Sequence, residues 1–180
     1  ERLADFVGER LEEVRSGLVI LNTKTAVRKL FARLVQDLRI GESGVKLFHL
    51  STNMCAAHRK KALGQVIEAL TGEERVVCVS TQLIEAGVDV SFDCVIRSLA
   101  GLDSVAQAAG RCNRHGKRDI RQVYVIDHAE ENLKDLPEIR IGKRESSSTI
   151  IILSLKTCRS GQKSKNIFPC RYIWIMMLTV

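Results

Sequence analysis

Short apolar runs alternate with amphipathic segments over residues 1–127. Apolar residues that recur every three or four positions predict helices over 1–15, from after Thr23 to near Gly41, over 56–70 and over 104–111. Runs rich in apolar residues and of strand length lie at 18–21, 45–50, 76–80, 93–97 and 123–126. The hydrophobic pattern therefore predicts five strands separated by helices or loops.

Most of these strand runs lack polar alternation, which is typical of strands buried on both faces of a parallel sheet. Strands that alternate with helices predict right-handed crossovers and a doubly wound α/β domain. Ligands of such sheets bind beyond the carboxyl ends of the strands. We therefore expect the polar residues that directly follow strands to lie on one sheet edge. They are Asn22, Thr23, Ser51, Thr52, Ser80, Thr81 and Asp127.

The composition changes near residue 143, where serines and basic residues replace mixed charges. Residues 1–142 are predicted to form one α/β domain, and 143–180 a linker and tail. Two apolar pieces in the tail, 150–153 and 172–178, fit either an edge strand pair or a chain end that is not native-like, for example after a reading-frame shift. Glu1, in place of a methionine, suggests a piece of a longer protein.

The net charge of +7 favours a polyanionic partner such as nucleic acid, although solubility alone would also explain it. The sequence has neither a signal peptide nor an apolar run of the ~20 residues that a membrane span needs. None of the six cysteines forms a C-x-x-C pair. Cys78 and Cys94 lie in strand-like runs, where free thiols fit a reducing cytoplasm. We expect a cytoplasmic protein that makes no membrane contact.

The stretch QAAGRCNRHG, residues 107–116, is rich in arginine and small residues. On a helix, Gln107, Arg111 and Arg114 would lie roughly in one line. The planar donor fork of arginine matches phosphate oxygens. A solvated basic face is the simpler interpretation, but Gly110 would weaken an exposed helix without a gain. The neighbouring alanines also indicate close packing; they are Ala106, Ala108 and Ala109.

The stretch STQLIEAGVDV, residues 80–90, follows the third strand run. Gly87 permits a backbone turn that other residues avoid. Asp89 could accept hydrogen bonds from a ribose or pair with an arginine. Thr81 and Gln82 could donate to a nucleic-acid phosphate. A plain strand exit with a capping aspartate is the alternative.

Together and in this order, the two stretches resemble motifs V and VI in the second motor domain of superfamily-two helicases. A third stretch, LSTNMCAAHR at 50–59, and the G-R-x-N-R-x-G form at 110–116 narrow the resemblance to the CRISPR-associated helicase/nuclease of type I systems. The resemblance covers about residues 17–127. It implies an α/β, RecA-like three-layer domain with a mostly parallel sheet flanked by helices. In such helicases, two RecA-like domains clamp ATP and move along one strand.

The resemblance also implies residue roles. Arg114 would be the arginine finger, and Arg111 a second phosphate contact or a partner of acidic residues. Gln107 would sit near the γ-phosphate. The residues implied at the nucleotide are Gly87, Asp89 and Gly110. Those implied at the nucleic acid are Asn22, Thr23, Ser51, Thr52, Thr81 and Gln82, with His58 and Arg59 as weaker candidates that a solvated helix face explains equally well.

Other parts of such an enzyme do not occur in this sequence. It contains no G-x-x-x-x-G-K-S/T loop to hold phosphates and no D-E-x-H magnesium segment. His49, His115 and His128 have no metal-ligand partners at useful spacing, so no metal site is predicted. ATP, with Mg²⁺ held mainly by a first motor domain, is the implied cofactor. The fragment alone is predicted to be inactive.

We therefore predict the second motor domain of an ATP-dependent helicase that translocates on single-stranded DNA in CRISPR antiviral defence. The implied partners are single-stranded DNA, the first motor domain and the nuclease domain of the same chain, and a CRISPR surveillance complex. One alternative is another superfamily-two helicase that acts on RNA or duplex DNA. A non-catalytic α/β nucleic-acid-binding module is the alternative from another class.

Overall fold

A computed structural model describes residues 2–37, 44–84, 88–112, 114, 120–126, 128, 131, 149–157 and 171–179. The strands are β1 (Ser16–Ile20), β2 (Val45–Leu50), β3 (Arg75–Ser80), β4 (Cys94–Ser98), β5 (Ile120–Ile126), β6 (Thr149–Thr157) and β7 (Arg171–Thr179). The α-helices are α1 (Arg2–Glu13), α2 (Lys24–Asp37), α3 (Ala56–Thr71) and α4 (Leu102–Ala109). A 3₁₀ turn spans Gln82–Ile84.

The strands of the described residues form one sheet in the order β2-β3-β1-β4-β5-β6-β7. Strands β1 to β5 are all parallel, and β1 lies between β3 and β4. The predicted α/β class with a mostly parallel sheet is therefore confirmed. The order reverses at β1, because the chain first builds toward β2 and β3 and then returns to β4 and β5.

Two apolar cores flank the sheet, because alternate residues of each strand point to opposite faces. Leu18 and Ile20 of β1 face a core that α3 and α4 cover. Val19 faces a second core with α1 and α2, together with Tyr124 of β5. Each fully buried Val, Leu or Ile side chain contributes ~1.5–3 kcal/mol relative to an exposed one. Burial on both faces explains why these strands read as nearly continuous apolar runs.

The sheet continues beyond β5 with two antiparallel strands. Strand β6 pairs with β5, with Ile150 opposite Ile126, and β7 pairs with β6. The two apolar pieces of the tail therefore form an edge strand pair, which is one of the two alternatives that the sequence left open. The predicted domain boundary at residues 142 and 143 lies outside the described residues.

Asp93 closes the amino edge of the sheet, where β1, β4 and β5 begin. Its carboxylate accepts a hydrogen bond from the Ser16 N–H at 3.2 Å and pairs with Arg121 at 3.1 Å. The Asp93 N–H in turn donates to the Ser16 hydroxyl at 3.0 Å. These contacts fix the point at which the chain enters β4, immediately after the segment that carries Asp89.

Candidate nucleotide and nucleic-acid sites

The polar residues that follow β1, β2 and β3 lie side by side at the carboxyl edge of the sheet. The Leu21 N–H donates to the Ser80 carbonyl at 2.9 Å, and the Thr81 N–H to the Leu50 carbonyl at 3.3 Å. The Gln82 amide donates to Asn22 Oδ1 at 3.4 Å. The prediction of one common edge is confirmed for Asn22, Thr23, Ser51, Thr52, Ser80 and Thr81, whereas Asp127 lies outside the described residues.

These residues differ in how far they reach solvent. Thr23, Thr52 and Gln82 are exposed, whereas Ser51 and Thr81 are buried. The Ser51 hydroxyl accepts the Asn53 N–H at 3.2 Å, so it orders its own turn. The Thr81 hydroxyl is buried without a hydrogen-bond partner in the described part of the chain. A buried hydroxyl of this kind normally has a partner, so a ligand could provide one.

Thr23 and Lys24 connect the start of α2 to the same edge. The Thr23 hydroxyl accepts the Ala26 N–H at 3.1 Å and so caps the first turn of α2. The Lys24 ammonium donates to Asn53 Oδ1 at 2.6 Å, and both side chains are exposed. Sequence reasoning missed Lys24 as a candidate phosphate contact. Its position directly after the capping threonine is a signal that could have identified it.

A buried carboxylate, Glu131, organises the loop after β1. It accepts the N–H groups of Asn22 at 2.6 Å and Thr23 at 3.0 Å. It also accepts the Asn22 side-chain amide at 2.9 Å and the Ser98 hydroxyl. Arg97, fully buried in β4, donates to Asn22 Oδ1 at 2.7 Å. We call these five residues the Glu131 network. Sequence reasoning missed it, because no motif surrounds Glu131.

The weaker candidates His58 and Arg59 lie in the first turn of α3. His58 is exposed, and Arg59 is half-buried and donates to the Met54 carbonyl at 3.3 Å. Arg59 also borders a cavity of about 160 Å³. Its other lining residues are Leu50, Leu63, Leu83, Ile84 and Val88. Arg59 therefore packs against apolar neighbours, whereas His58 belongs to a solvated helix face.

Helix α4 ends before the two arginines of the second stretch. Its last residue is Ala109, and the Gly110 N–H closes the final turn on the Ala106 carbonyl at 2.9 Å. The prediction that Arg111 and Arg114 share a helix face with Gln107 is therefore wrong. The chain turns away because Cys112 forms a parallel bridge with Phe92. A Cβ atom on Gly110 would lie 3.2 Å from the Gln107 carbonyl oxygen, so this turn favours glycine.

The structure does bring both arginines to one place, beside the residues that precede β4. The Arg114 Nε pairs with Asp89 Oδ1 at 3.0 Å, and its Nη1 donates to the Val88 carbonyl at 3.1 Å. The Arg111 guanidinium donates to the same carbonyl. The Arg114 N–H donates to the Ser91 hydroxyl at 3.1 Å. We call Val88, Asp89, Ser91, Arg111 and Arg114 the arginine cluster.

Members of the arginine cluster differ in exposure. Arg111 is buried, whereas the side chains of Arg114 and Asp89 are 40% and 70% exposed. Gln107 is exposed on the last turn of α4. Gly87, the remaining predicted nucleotide residue, lies outside the described residues. Ser91 is a contact that sequence reasoning missed, since a lone serine carries no pattern.

One chain connection links the polar carboxyl edge to the arginine cluster. Residues 81–93, which we call the crossover, begin at the carboxyl end of β3 and end at the amino end of β4. At that end, the Phe92 N–H donates to the Arg111 carbonyl at 2.8 Å and the Asp93 N–H to the Ser16 carbonyl at 3.1 Å. One connection therefore carries Thr81 and Gln82 at its start and Asp89 near its end.

Three side chains that lie outside these sites have pKa values shifted by burial. Desolvation raises the pKa of the Cys78 and Cys94 thiols to about 12, in accord with their predicted place in the core. Desolvation, with a smaller effect from Arg28, lowers the pKa of His49.

Among the described residues, no three His, Cys, Asp or Glu side chains come together as a metal site requires. No helix in that part of the chain combines the length and apolar character that a membrane crossing needs.

Known proteins match this chain in sequence. The family model for "CRISPR-associated nuclease/helicase Cas3, C-terminal" matches residues 13–117. The CRISPR-associated nuclease/helicase Cas3 of Haloferax volcanii is 52% identical over 82 residues, which are 42% of this chain and 9% of the relative. Cas3 of Streptococcus thermophilus is 30% identical over 140 residues, 73% of this chain and 15% of the relative. The chain thus spans a small part of these relatives' length.

Solved structures share the fold. T. fusca Cas3 has a TM-score of 0.58 at 22% identity, over 64% of this chain and 14% of that one. A chain of a "CRISPR RNA-guided surveillance complex, pre-nicking" has a TM-score of 0.53 at 24% identity, over 64% of this chain and 14% of that one. The DUF1998 helicase MrfA, bound to DNA and AMPPNP, has a TM-score of 0.51 at 17% identity, over 62% of this chain and 16% of that one. These likenesses confirm the RecA-like fold. With residues 13–117 matched, the chain belongs to the family of the C-terminal helicase domain of the CRISPR-associated nuclease/helicase Cas3.

Proposed function

We propose that this chain is the second motor domain of an ATP-dependent helicase that translocates on single-stranded DNA in CRISPR antiviral defence. It supplies Arg114 as the arginine finger, and its carboxyl edge forms a part of the DNA path. The observation that carries this proposal is the exposed ion pair, 3.0 Å long, between Arg114 and Asp89. Asp89 lies on the crossover, which begins with Thr81 and Gln82. One segment therefore contributes to both proposed surfaces.

The arginine cluster fits the phosphate and ribose of ATP. Arg114 keeps part of its donor fork at the surface, where phosphate oxygens can reach it. Asp89 presents a carboxylate that can accept ribose hydroxyls. ATP provides the γ-phosphoryl group for transfer to water, and an arginine finger accelerates such a transfer by ~10³–10⁵. Gln107, exposed on α4, is proposed near that phosphate, and Mg²⁺ is proposed to be held mainly by the first motor domain.

Arg111 has a different environment from Arg114. The Arg111 side chain is buried and donates to the Val88 carbonyl. The backbone carbonyl of Arg111 accepts the Phe92 N–H at 2.8 Å. These contacts favour a role in holding the crossover against the end of α4. Arg111 would then keep Asp89 and Arg114 in place, in addition to any contact with phosphate.

The carboxyl edge fits a nucleic-acid backbone. The exposed side chains of Thr52, Gln82 and Lys24 offer hydroxyl, amide and ammonium donors of the kinds that bind phosphates. The buried Thr81 hydroxyl, which lacks a partner in the described residues, can donate to a phosphate oxygen. The net charge of +7 favours the same class of ligand. Low aromatic content, 4%, does not favour base stacking as the main mode of binding.

The wider context is part of the proposal. The relatives are Cas3 nuclease/helicases, and one structural neighbour is a chain of an RNA-guided surveillance complex. We propose that the full-length protein acts in the cytoplasm and joins this motor domain to a first RecA-like domain and a nuclease domain. We further propose that it engages a CRISPR surveillance complex. The fragment alone would not hydrolyse ATP, because phosphate binding needs the P-loop of the first domain.

The test replaces Arg114 in the full-length protein. Arg114→Ala should abolish DNA-stimulated ATP hydrolysis while leaving ATP binding largely intact, because a finger acts mainly in the transition state. Arg33→Ala is a matched control, since Arg33 forms an exposed ion pair with Asp37 at 2.7 Å on α2. Weaker ATP binding with normal turnover at saturation would contradict the finger role.

A further inference from the structure

Glu131 is buried and surrounded by hydrogen-bond donors. One carboxylate oxygen accepts the N–H groups of Asn22 and Thr23, at 2.6 and 3.0 Å. The other accepts the Asn22 side-chain amide at 2.9 Å and the Ser98 hydroxyl. Only 4% of the residue is exposed. A carboxylate is the side chain best suited to this place, because every contact offers it a donor.

Glu131, together with Arg97 and the Leu99 carbonyl, fixes the orientation of the Asn22 side chain. The Asn22 amide nitrogen donates to Glu131 and to the Leu99 carbonyl at 2.8 Å. Its oxygen accepts from Arg97 at 2.7 Å. A flipped amide would place its nitrogen against the Arg97 donors and its oxygen against the carboxylate, so only one orientation satisfies both neighbours.

The fixed Asn22 oxygen reaches the start of the crossover. It accepts the Gln82 amide at 3.4 Å, across the junction between the ends of β1 and β3. Gln82 is exposed, so Asn22 limits the positions that its side chain can adopt. A chain of contacts thus runs from Glu131 through Asn22 to Gln82, between residues far apart in sequence.

We propose that Glu131 is a positioning residue of the DNA-binding edge, acting through Asn22 on Gln82. The inference rests on the proposed function, because it takes Gln82 as a contact to single-stranded DNA. Asn22 and the Thr23 N–H would then act on DNA only indirectly, because Glu131 and its neighbours already provide their hydrogen-bond partners.

The test is a double-mutant cycle in the full-length helicase. Affinity for a fluorescently labelled single-stranded oligonucleotide is measured for Glu131→Gln, Gln82→Ala and the double variant. The amide at position 131 replaces one acceptor oxygen with a donor and so releases Asn22. We expect about three- to tenfold weaker binding for each single variant, and a double variant no weaker than Gln82→Ala alone. At a saturating concentration of the oligonucleotide, the KM for ATP of Glu131→Gln should stay within about twofold of the wild type.

Two further variants separate positioning from folding. Glu74→Gln is the matched control, because Glu74 pairs with Lys46 at 2.6 Å on the surface, at the amino ends of β2 and β3. Asn22→Ala removes the side chain that connects Glu131 to Gln82. Its effect on DNA affinity should also be non-additive with that of Gln82→Ala. If Glu131→Gln prevents folding, the Asn22→Ala cycle decides the question.

The outcomes distinguish the two proposals. Additive losses in the double variant, or normal DNA affinity in Glu131→Gln while Gln82→Ala binds weakly, would overturn the positioning role alone. A KM for ATP that rises in parallel with the DNA loss would also overturn it, as a general structural defect. Normal DNA affinity in Gln82→Ala would instead refute the proposed DNA contact on which the inference rests.

Discussion

The Arg114 guanidinium pairs with the Asp89 carboxylate at 3.0 Å, so the proposed arginine finger contacts its own domain. Both side chains are exposed at this pair, and the adjacent Val88 carbonyl accepts from the same guanidinium. A phosphate that approaches Arg114 therefore meets an arginine that is already oriented. Preorganised donors of this kind need little rearrangement in the transition state.

Replacing Asp89 separates its contribution to stability from its contribution to ATP binding. An exposed ion pair typically adds ~0–1 kcal/mol to stability, so Asp89→Ala should change the unfolding free energy by about 1 kcal/mol or less. Loss of a hydrogen bond from ribose to a carboxylate should raise the KM for ATP about tenfold. Steady-state kinetics of the full-length protein measures the effect, with Glu74→Ala as the control. An unchanged KM would argue against the ribose contact.

Thr81→Val tests the buried hydroxyl at the start of the crossover. The substitution keeps the shape of the side chain and removes a hydroxyl that lacks a partner among the described residues. Stability should therefore stay the same or rise, while single-stranded DNA binding weakens. Because a neutral hydroxyl releases no counterion from a phosphate, the loss of affinity should be similar at all salt concentrations, and the slope of log affinity against log salt should stay unchanged. A destabilised protein with normal DNA affinity would show that the hydroxyl serves the fold instead.

Arg111 and Arg114 should respond differently to truncation. Arg111→Ala removes a buried side chain and leaves the Val88 carbonyl with one donor fewer, which costs ~1–3 kcal/mol. The amides of residues 88–93 should then exchange with deuterium faster than in the wild type. In Arg114→Ala, where an exposed contact is lost, exchange in this segment should change much less. Equal exchange in the two variants would contradict a structural role for Arg111.

His49 makes stability depend on pH. Its folded-state pKa lies below the ordinary value of 6.5, because burial and Arg28 disfavour the charged ring. The neutral ring therefore stabilises the fold above pH 6.5, and this stability is lost as the pH falls through the lower folded-state pKa. In His49→Gln, stability should fall less steeply as the pH is lowered. Thermal unfolding of the wild type and the variant between about pH 5 and 8 measures this difference. Parallel curves of unfolding temperature against pH would refute the role of His49.

Local patterns predicted the parallel core well. Strands β1 to β5 and all four helices followed from apolar spacing, because burial on one or two faces leaves a periodic trace. The carboxyl edge followed from parallel pairing. The end of α4 did not, because Gly110 has helical backbone angles (φ −62°, ψ −11°) and gives no break in the pattern. The Glu131 network was also hidden, since it joins residues 109 positions apart without any repeat or motif.

The crossover has a further consequence for this family of domains. The strands β3 and β4, at its two ends, are each held by a ladder with β1, so the distance between the ends is fixed. An insertion or deletion within 81–93 would leave those ladders intact and shift Asp89 past Arg114. Every side chain of both proposed surfaces would remain, yet the proposed DNA surface and the proposed ATP surface would no longer be in register. Chain length in this segment should therefore be under stronger selection than the identity of most of its residues.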